Sequence, residues 1–134
     1  MNRILVTAGL SVFCLAQAQA NCATVSQTNQ NRVNDQAIET LLAGRTVCVP
    51  STGGWAAQEI HAANGTLSDY KKGPNDRVDP TTVLGSWGRS GNTVVYNYSG
   101  GSSFSYDVYH NNGAICFVGA TTVEGTLQQG PGCQ

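Results

Sequence analysis

The sequence predicts an all-β fold, a small antiparallel meander barrel of about eight strands with one short N-terminal helix and two disulfides. First, β-branched and aromatic residues come in short runs that are separated by Gly, Asn and Pro turn signals. Second, the chain has 16 glycines and only 11% charged residues, a composition typical of barrels and sandwiches. Third, residues 83–109 have the pattern of three successive strands joined by two glycine turns.

The turns of this central meander predict its register. A two-residue turn at residues 91–92 sets Trp87 opposite Tyr96. For the second turn, the hydrophobic pattern favours a three-residue loop at residues 100–102, which sets Tyr96 opposite Tyr106. One face of the meander is then apolar: Trp87, Val94, Tyr96, Tyr98, Phe104, Tyr106 and Val108. We expect this face to form core, although a ligand-lined cavity would offer the tyrosine hydroxyls partners.

Residues 1–20 have the features of a cleaved signal peptide. Arg3 precedes an apolar run at residues 4–16, and residues 18–20 have the A-x-A form of a signal-peptidase site. We therefore expect a single barrel domain at residues 21–134 and a secreted or periplasmic location. No second apolar run is long enough to span a membrane, so no membrane span is predicted.

The cysteines predict two disulfides. Four remain after the signal peptide: Cys22, Cys48, Cys116 and Cys133. Their spacing matches no zinc motif, and we predict neither a metal nor a cofactor. The favoured pairing is Cys48–Cys116 with Cys22–Cys133, because closing a sheet brings the chain ends together. The alternative is the local pairing, Cys22–Cys48 with Cys116–Cys133.

A polar arm and one helix precede the strands. Residues 23–33 are rich in Gln, Asn, Thr and Ser, which is typical of an extended arm. In residues 35–43, Ile38, Leu41 and Leu42 fall at the i, i+3, i+4 spacing of an amphipathic helix. We expect its apolar stripe to cover one end of the barrel.

The remaining elements are strands and one long loop. A hairpin about the turn at residues 64–65 sets His61 opposite Ser68 and Glu59 opposite Tyr70. The other predicted elements are a strand at residues 45–50, the hairpin strands at 55–63 and 66–72, a loop at 73–82, and strands at 114–118 and 122–128.

The best candidate site is the hairpin face that carries Trp55, Glu59, His61 and Tyr70. Glu59 and His61 are two residues apart, so they project from the same side of a strand. A carboxylate beside an imidazole suits general acid–base catalysis, and these two are the candidate catalytic residues. The competing interpretation is an ordinary solvent-facing strand with a Glu–His contact. His110 would join His61 at a metal only if the fold brought the two together, and a histidine at a loop edge is the simpler interpretation.

Several motifs resemble those of a group of small exported bacterial proteins of uncharacterised function. The motifs are residues 41–49, Trp55, Gln58-Glu59-x-His61, residues 69–74, Val78-Asp79-Pro80 and Gly85-Ser86-Trp87. The resemblance implies export but no activity. The Gly85-x-Trp87 strand before a meander is also similar to lipocalin and avidin-like barrels, which implies a small barrel.

Three functions are compatible with these features. The first is an exported binding module, inhibitor-like, for a small ligand or a protein partner, and we expect it to be a monomer. The second is a small secreted hydrolase that uses Glu59 and His61. The third is a structural component of an envelope or matrix. A formal net charge of −1 without a basic stripe argues against a nucleic-acid partner.

Overall fold

A computed structural model of the chain describes residues 22–70 and 82–133. The signal peptide predicted at residues 1–20 and nearly all of the loop predicted at residues 73–82 lie outside the described residues. The elements are β1 (Arg32–Val33), α1 (Gln36–Leu42), β2 (Arg45–Ser51), β3 (Gly54–His61), β4 (Thr66–Asp69), β5 (Thr82–Ser90), β6 (Thr93–Tyr98), β7 (Ser103–Asn111), β8 (Ala114–Val118) and β9 (Thr122–Gln129).

The eight strands from β2 to β9 form a closed antiparallel barrel, which confirms the predicted fold class. Each strand pairs with the next along the chain, and β9 returns to pair with β2. The two-residue strand β1 lies beside β7 in the polar arm. Closure leaves no barrel strand with a free edge, because each of the eight has a partner on both sides.

The helix covers one end of this barrel, as predicted. It runs over Gln36–Leu42, one residue shorter at each end than expected, and Ile38 and Leu42 are fully buried in the core. Asp35 precedes the helix, and its side chain makes no capping hydrogen bond. The backbone N–H of Asp35 donates to Asn92 Oδ1 at 3.1 Å. We call this the helix end of the barrel, where β2 begins and β3 finishes, and the opposite end the open end.

The meander has the predicted first turn, but the predicted register of its second turn is wrong. Trp87 does lie opposite Tyr96, whereas Tyr96 lies opposite Phe104 rather than Tyr106. The loop is residues 99–101, because the glycine at its third position, Gly101, adopts the positive φ of 95° that this loop needs. A shift of two residues keeps every side chain on its predicted face.

The predicted register of the β3–β4 hairpin is also wrong, here by one residue. The loop has three residues, 63–65, with a φ of 91° at the third. Glu59 therefore lies opposite Asp69 rather than Tyr70, and His61 lies opposite Leu67. Because a one-residue shift exchanges the two faces of a strand, Asp69 is on the inner face of the barrel and Tyr70 on the outer.

Neither predicted cysteine pairing is correct. The disulfides join Cys22 to Cys116 and Cys48 to Cys133. The favoured pairing assumed that the chain ends meet each other, whereas each end packs on a different part of the outer surface. Two disulfides are compatible with an oxidising exported location.

The C-terminal segment crosses the outer surface of β2 and β3. The Gly132 N–H donates to Thr46 Oγ1 at 3.0 Å, and the Cys133 N–H donates to Gln58 Oε1 at 3.0 Å. Thr46 and Gln58 are both buried under this segment. The Cys48–Cys133 disulfide fastens its last described residue to β2.

The N-terminal arm lies over the outer surface of β8 and β9. The Ala23 and Thr24 N–H groups donate to the Glu124 carboxylate at 2.7 and 2.9 Å. Cys22 and Val25 are buried against Cys116, in a small cluster separate from the barrel interior. In the described parts of the chain, no helix has the length and apolar character needed to cross a membrane.

We predict that removing one disulfide costs substantial stability. Replacing both Cys48 and Cys133 by Ser should lower the free energy of unfolding by roughly 2–5 kcal/mol, because the bridge closes a long loop in the unfolded chain. Urea unfolding measures this, and mass spectrometry of non-reduced peptides checks the pairing. Peptides joining Cys48 to Cys116 or to Cys22 would show that the pairing described here is wrong.

A second prediction concerns the close approach of β9 to β2. A Cβ on Gly125 would contact the Cys48 carbonyl oxygen, so Gly125→Ala should destabilise the protein by about 1–3 kcal/mol. Gly88→Ala is the matched control, since nothing lies within 4 Å of the added Cβ. Equal unfolding midpoints for the two variants would contradict this description of barrel closure.

Candidate ligand-binding site

The open end of the barrel contains a cavity of about 200 Å³. Inward-facing residues of β2, β3, β6, β7, β8 and β9 line it: Val47, Val49, Ala57, Glu59, Tyr96, Tyr98, Tyr106, Phe117 and Val123. Its volume is below the ~300–1,000 Å³ of sites for drug-sized molecules, so it suits a smaller molecule. Apolar and aromatic surface dominates the lining, and Glu59 is its one carboxylate among the described residues.

Four aromatic rings form a continuous wall of the cavity. Tyr96 stands at the centre, with ring centroids 6.4 Å from Tyr98, 6.0 Å from Tyr106 and 6.1 Å from Phe117. Most of these contacts are edge-to-face, the arrangement that aromatic quadrupoles favour. Phe104 continues the series beyond the cavity and is 41% exposed.

Glu59 carries the polar chemistry of the cavity. The Tyr98 hydroxyl donates to its carboxylate, 3.1 Å from Oε1. Burial raises the pKa of Glu59; the Tyr98 hydrogen bond opposes that rise, and the charge of Asp69 adds to it. Asp69 lies directly across from Glu59 on β4 and is only 8% exposed, so two carboxylates share the inner face.

His61 lies beneath the cavity and is fully buried. Its Nδ1 is 3.0 Å from the Glu59 carbonyl oxygen, and its Nε2 is 2.8 Å from the Tyr96 hydroxyl. A carbonyl only accepts, so Nδ1 carries the hydrogen and Nε2 accepts from Tyr96. Burial lowers the pKa of His61 to about 4, which keeps the ring neutral. The Trp87 ring packs edge-on at 5.2 Å on the side of the helix end.

The structure separates the predicted site residues. Glu59 lines the cavity and His61 supports it from below, whereas Trp55 and Tyr70 are not among the lining residues. Trp55 pairs with Pro50 near the start of β3. The Tyr70 ring lies on the outer surface, next to where a Cβ on Gly132 would point.

His110 lies one residue before the end of β7, at the helix end of the barrel. Burial and the nearby Arg45 charge lower its pKa. Among residues 22–70 and 82–133, no three His, Cys, Asp or Glu side chains come together as a metal site.

The arrangement gives Glu59, but not His61, direct access to the cavity. Both ring nitrogens of His61 are engaged, one by Glu59 and one by Tyr96. Acid–base catalysis by the pair stays a prediction, and any proton exchanged with a bound molecule would pass through the Glu59 carboxylate. The cavity itself offers shape, aromatic faces and one carboxylate.

Sequence reasoning missed most of the residues that line the cavity. The alternation of the meander placed Tyr96, Tyr98 and Tyr106 on one apolar face, and that face was expected to form core. Glu59 on the inner face of β3 was the available signal, because a carboxylate on an otherwise apolar face needs a partner or an opening.

Comparisons of the chain with protein-family profiles, curated proteins and solved structures find no match.

We predict that His61 makes the protein less stable in mild acid. Between its ordinary pKa of 6.5 and about 4, the unfolded chain binds a proton that the folded chain does not. The free energy of unfolding should therefore fall by about 3 kcal/mol across this window as the pH falls. Glu59 acts in the opposite sense, because its raised pKa favours the folded state at low pH.

The measurement is urea unfolding of wild type and His61→Gln from pH 7 to pH 4. The difference between their free energies of unfolding is followed, so that the contribution of Glu59 titration cancels. His110→Gln is the control, since His110 is only partly buried. A wild-type minus His61→Gln difference that stays constant with pH would show that His61 is not held neutral by the fold.

Proposed function

We propose that the protein is an exported binding module that holds a small, largely apolar molecule in the open end of its barrel. The observation that carries this proposal is the cavity of about 200 Å³ with one carboxylate in an aromatic lining. A few polar groups in an apolar concave surface are the usual composition of small-molecule sites.

The contrast between the two barrel ends supports a binding role. At the helix end, Ile38 and Leu42 pack with Leu67 and Trp87 into the hydrophobic core. A pocket of about 330 Å³ at that end is lined by residues near the end of α1 and the β3–β4 loop, and of its described lining only Trp87 is buried. Protein interiors are normally packed to the density of organic crystals. The open end keeps space between inward-facing side chains, and the partly buried Glu59 carboxylate lies beside that space. Desolvating a carboxylate costs free energy, which a bound molecule that hydrogen-bonds to it would offset.

The rigidity of the lining also supports a preformed site. Tyr96 is fixed by His61 and Tyr98 by Glu59, so two of the four rings are oriented by hydrogen bonds. The disulfides fasten both outer segments to β2 and β8, the strands of Val47 and Phe117. A preorganised site loses less entropy when it binds its ligand.

Two substitutions of alanine by leucine, at neighbouring positions, test this proposal. Ala57 lines the cavity, whereas its neighbour Ala56 is exposed on the same strand. We expect benzyl alcohol to shift the ring NMR signals of Tyr98, Tyr106 and Phe117 in wild type and in Ala56→Leu. Ala57→Leu should reduce the affinity at least about tenfold, because the added carbons occupy the cavity.

The proposal would be wrong if no small neutral or charged aromatic probe shifted these signals. It would also be wrong if Ala57→Leu bound the probe as well as Ala56→Leu did, since binding would then lie outside the cavity.

A further inference from the structure

We propose that the molecule held in the cavity is a small organic ammonium ion, with its charged group at Glu59 and its apolar body against the aromatic wall. This inference rests on the proposed binding function and specifies the chemical class of the ligand. Its basis is the juxtaposition of the Glu59 carboxylate with the rings of Tyr96, Tyr98 and Tyr106 in one cavity.

The charges that face the cavity favour a cation. Glu59 lines it, and Asp69 lies across from Glu59 on the neighbouring strand. Among the described residues that line the cavity there is no lysine, arginine or histidine. The two ion pairs of the described residues, Arg32–Asp107 and Arg89–Glu39, involve neither of these carboxylates. An anionic ligand would therefore meet the Glu59 carboxylate, with the Asp69 charge nearby, whereas a cation would neutralise the partly desolvated Glu59.

The aromatic wall favours the same class. The faces of aromatic rings carry partial negative charge and attract a cation within about 6 Å of the ring centroid. Tyr96, Tyr106 and Phe117 lie 5.8–6.1 Å from one another, so one small group can contact several rings at once. A cavity lined by aromatic rings and one carboxylate therefore suits a ligand in which an ammonium group is bonded to an apolar body.

The hydrogen bond from Tyr98 orients the carboxylate for this role. Tyr98 donates 3.1 Å from Oε1 and 3.4 Å from Oε2 of Glu59. A carboxylate has about four lone-pair sites, so one phenol leaves acceptor capacity for a ligand N–H. Because Tyr98 and Glu59 both line the cavity, that capacity lies beside the bound molecule.

A pair of nearly isosteric probes tests the charge. Benzylammonium and benzyl alcohol have similar shapes and differ in charge, and both are titrated into the full-length protein while ring NMR signals are followed. We expect benzylammonium to bind at least about tenfold more tightly than benzyl alcohol, the advantage typical of a charge-assisted hydrogen bond. Glu59→Gln should remove that preference while still binding benzyl alcohol, which shows that the variant is folded.

Glu39→Gln is the matched control, because Glu39 is a partly exposed carboxylate on α1 at the other end of the barrel. It should keep the wild-type preference. Equal affinities for the two probes in wild type would overturn the ammonium inference and leave the binding function standing. Binding of neither probe at the cavity would overturn both proposals.

The dependence of affinity on pH provides a second readout. Benzyltrimethylammonium keeps its charge at every pH, so changes in its affinity report on the protein. The titratable groups that face Glu59 are Asp69, Tyr96, Tyr98 and Tyr106, with His61 on its own strand. The affinity should fall as acid protonates Glu59, and Glu59→Gln should flatten that fall. The same pH profile in wild type and variant would contradict the role of Glu59.

Discussion

His61 and Tyr96 are joined by a hydrogen bond, and the pair lies between the two parts of the barrel interior. Nε2 accepts from the Tyr96 hydroxyl at 2.8 Å, and Trp87 packs on the imidazole from the helix end. On the side of the helix end lies the hydrophobic core, to which α1 contributes Ile38 and Leu42, and on the side of the open end lies the cavity. A buried imidazole is tolerated because both nitrogens are hydrogen-bonded and the ring stays neutral. The hydrogen bond between His61 and Tyr96 therefore orients the Tyr96 ring, which lines the cavity.

The rest of the structure holds that interior in place from outside. The N-terminal arm and the C-terminal segment lie on different parts of the outer surface, and each is fastened by one disulfide. Neither segment occupies the interior, so the barrel keeps its inner surface for side chains alone. The disulfides therefore stabilise the barrel from outside, and neither terminal segment enters its open end. The disulfides thus lie on the outer faces of β2 and β8, whose inner faces line the cavity.

The strands and their inner faces could be predicted from the sequence, because side-chain alternation has a period of two. The loop lengths could not: Asn64-Gly65 indicated a two-residue turn, whereas a three-residue loop moved Asp69 inward and Tyr70 outward. The disulfides were missed because alternation does not reveal where segments outside the strands pack. Glu59 and His61 were predicted to share a face, and they do. Whether that face encloses space depends on side-chain volumes summed over all eight strands, which no local pattern contains.

We propose that an ammonium group binds at Glu59 in the open end of the barrel. The most direct test is to measure nuclear Overhauser effects between the methyl groups of benzyltrimethylammonium and the ring protons of the protein. We expect cross-peaks to Tyr96, Tyr98 and Tyr106, whose rings line the same cavity as the carboxylate. Cross-peaks to Trp87 at the helix end, or to the outer-surface ring of Tyr70, would contradict the account.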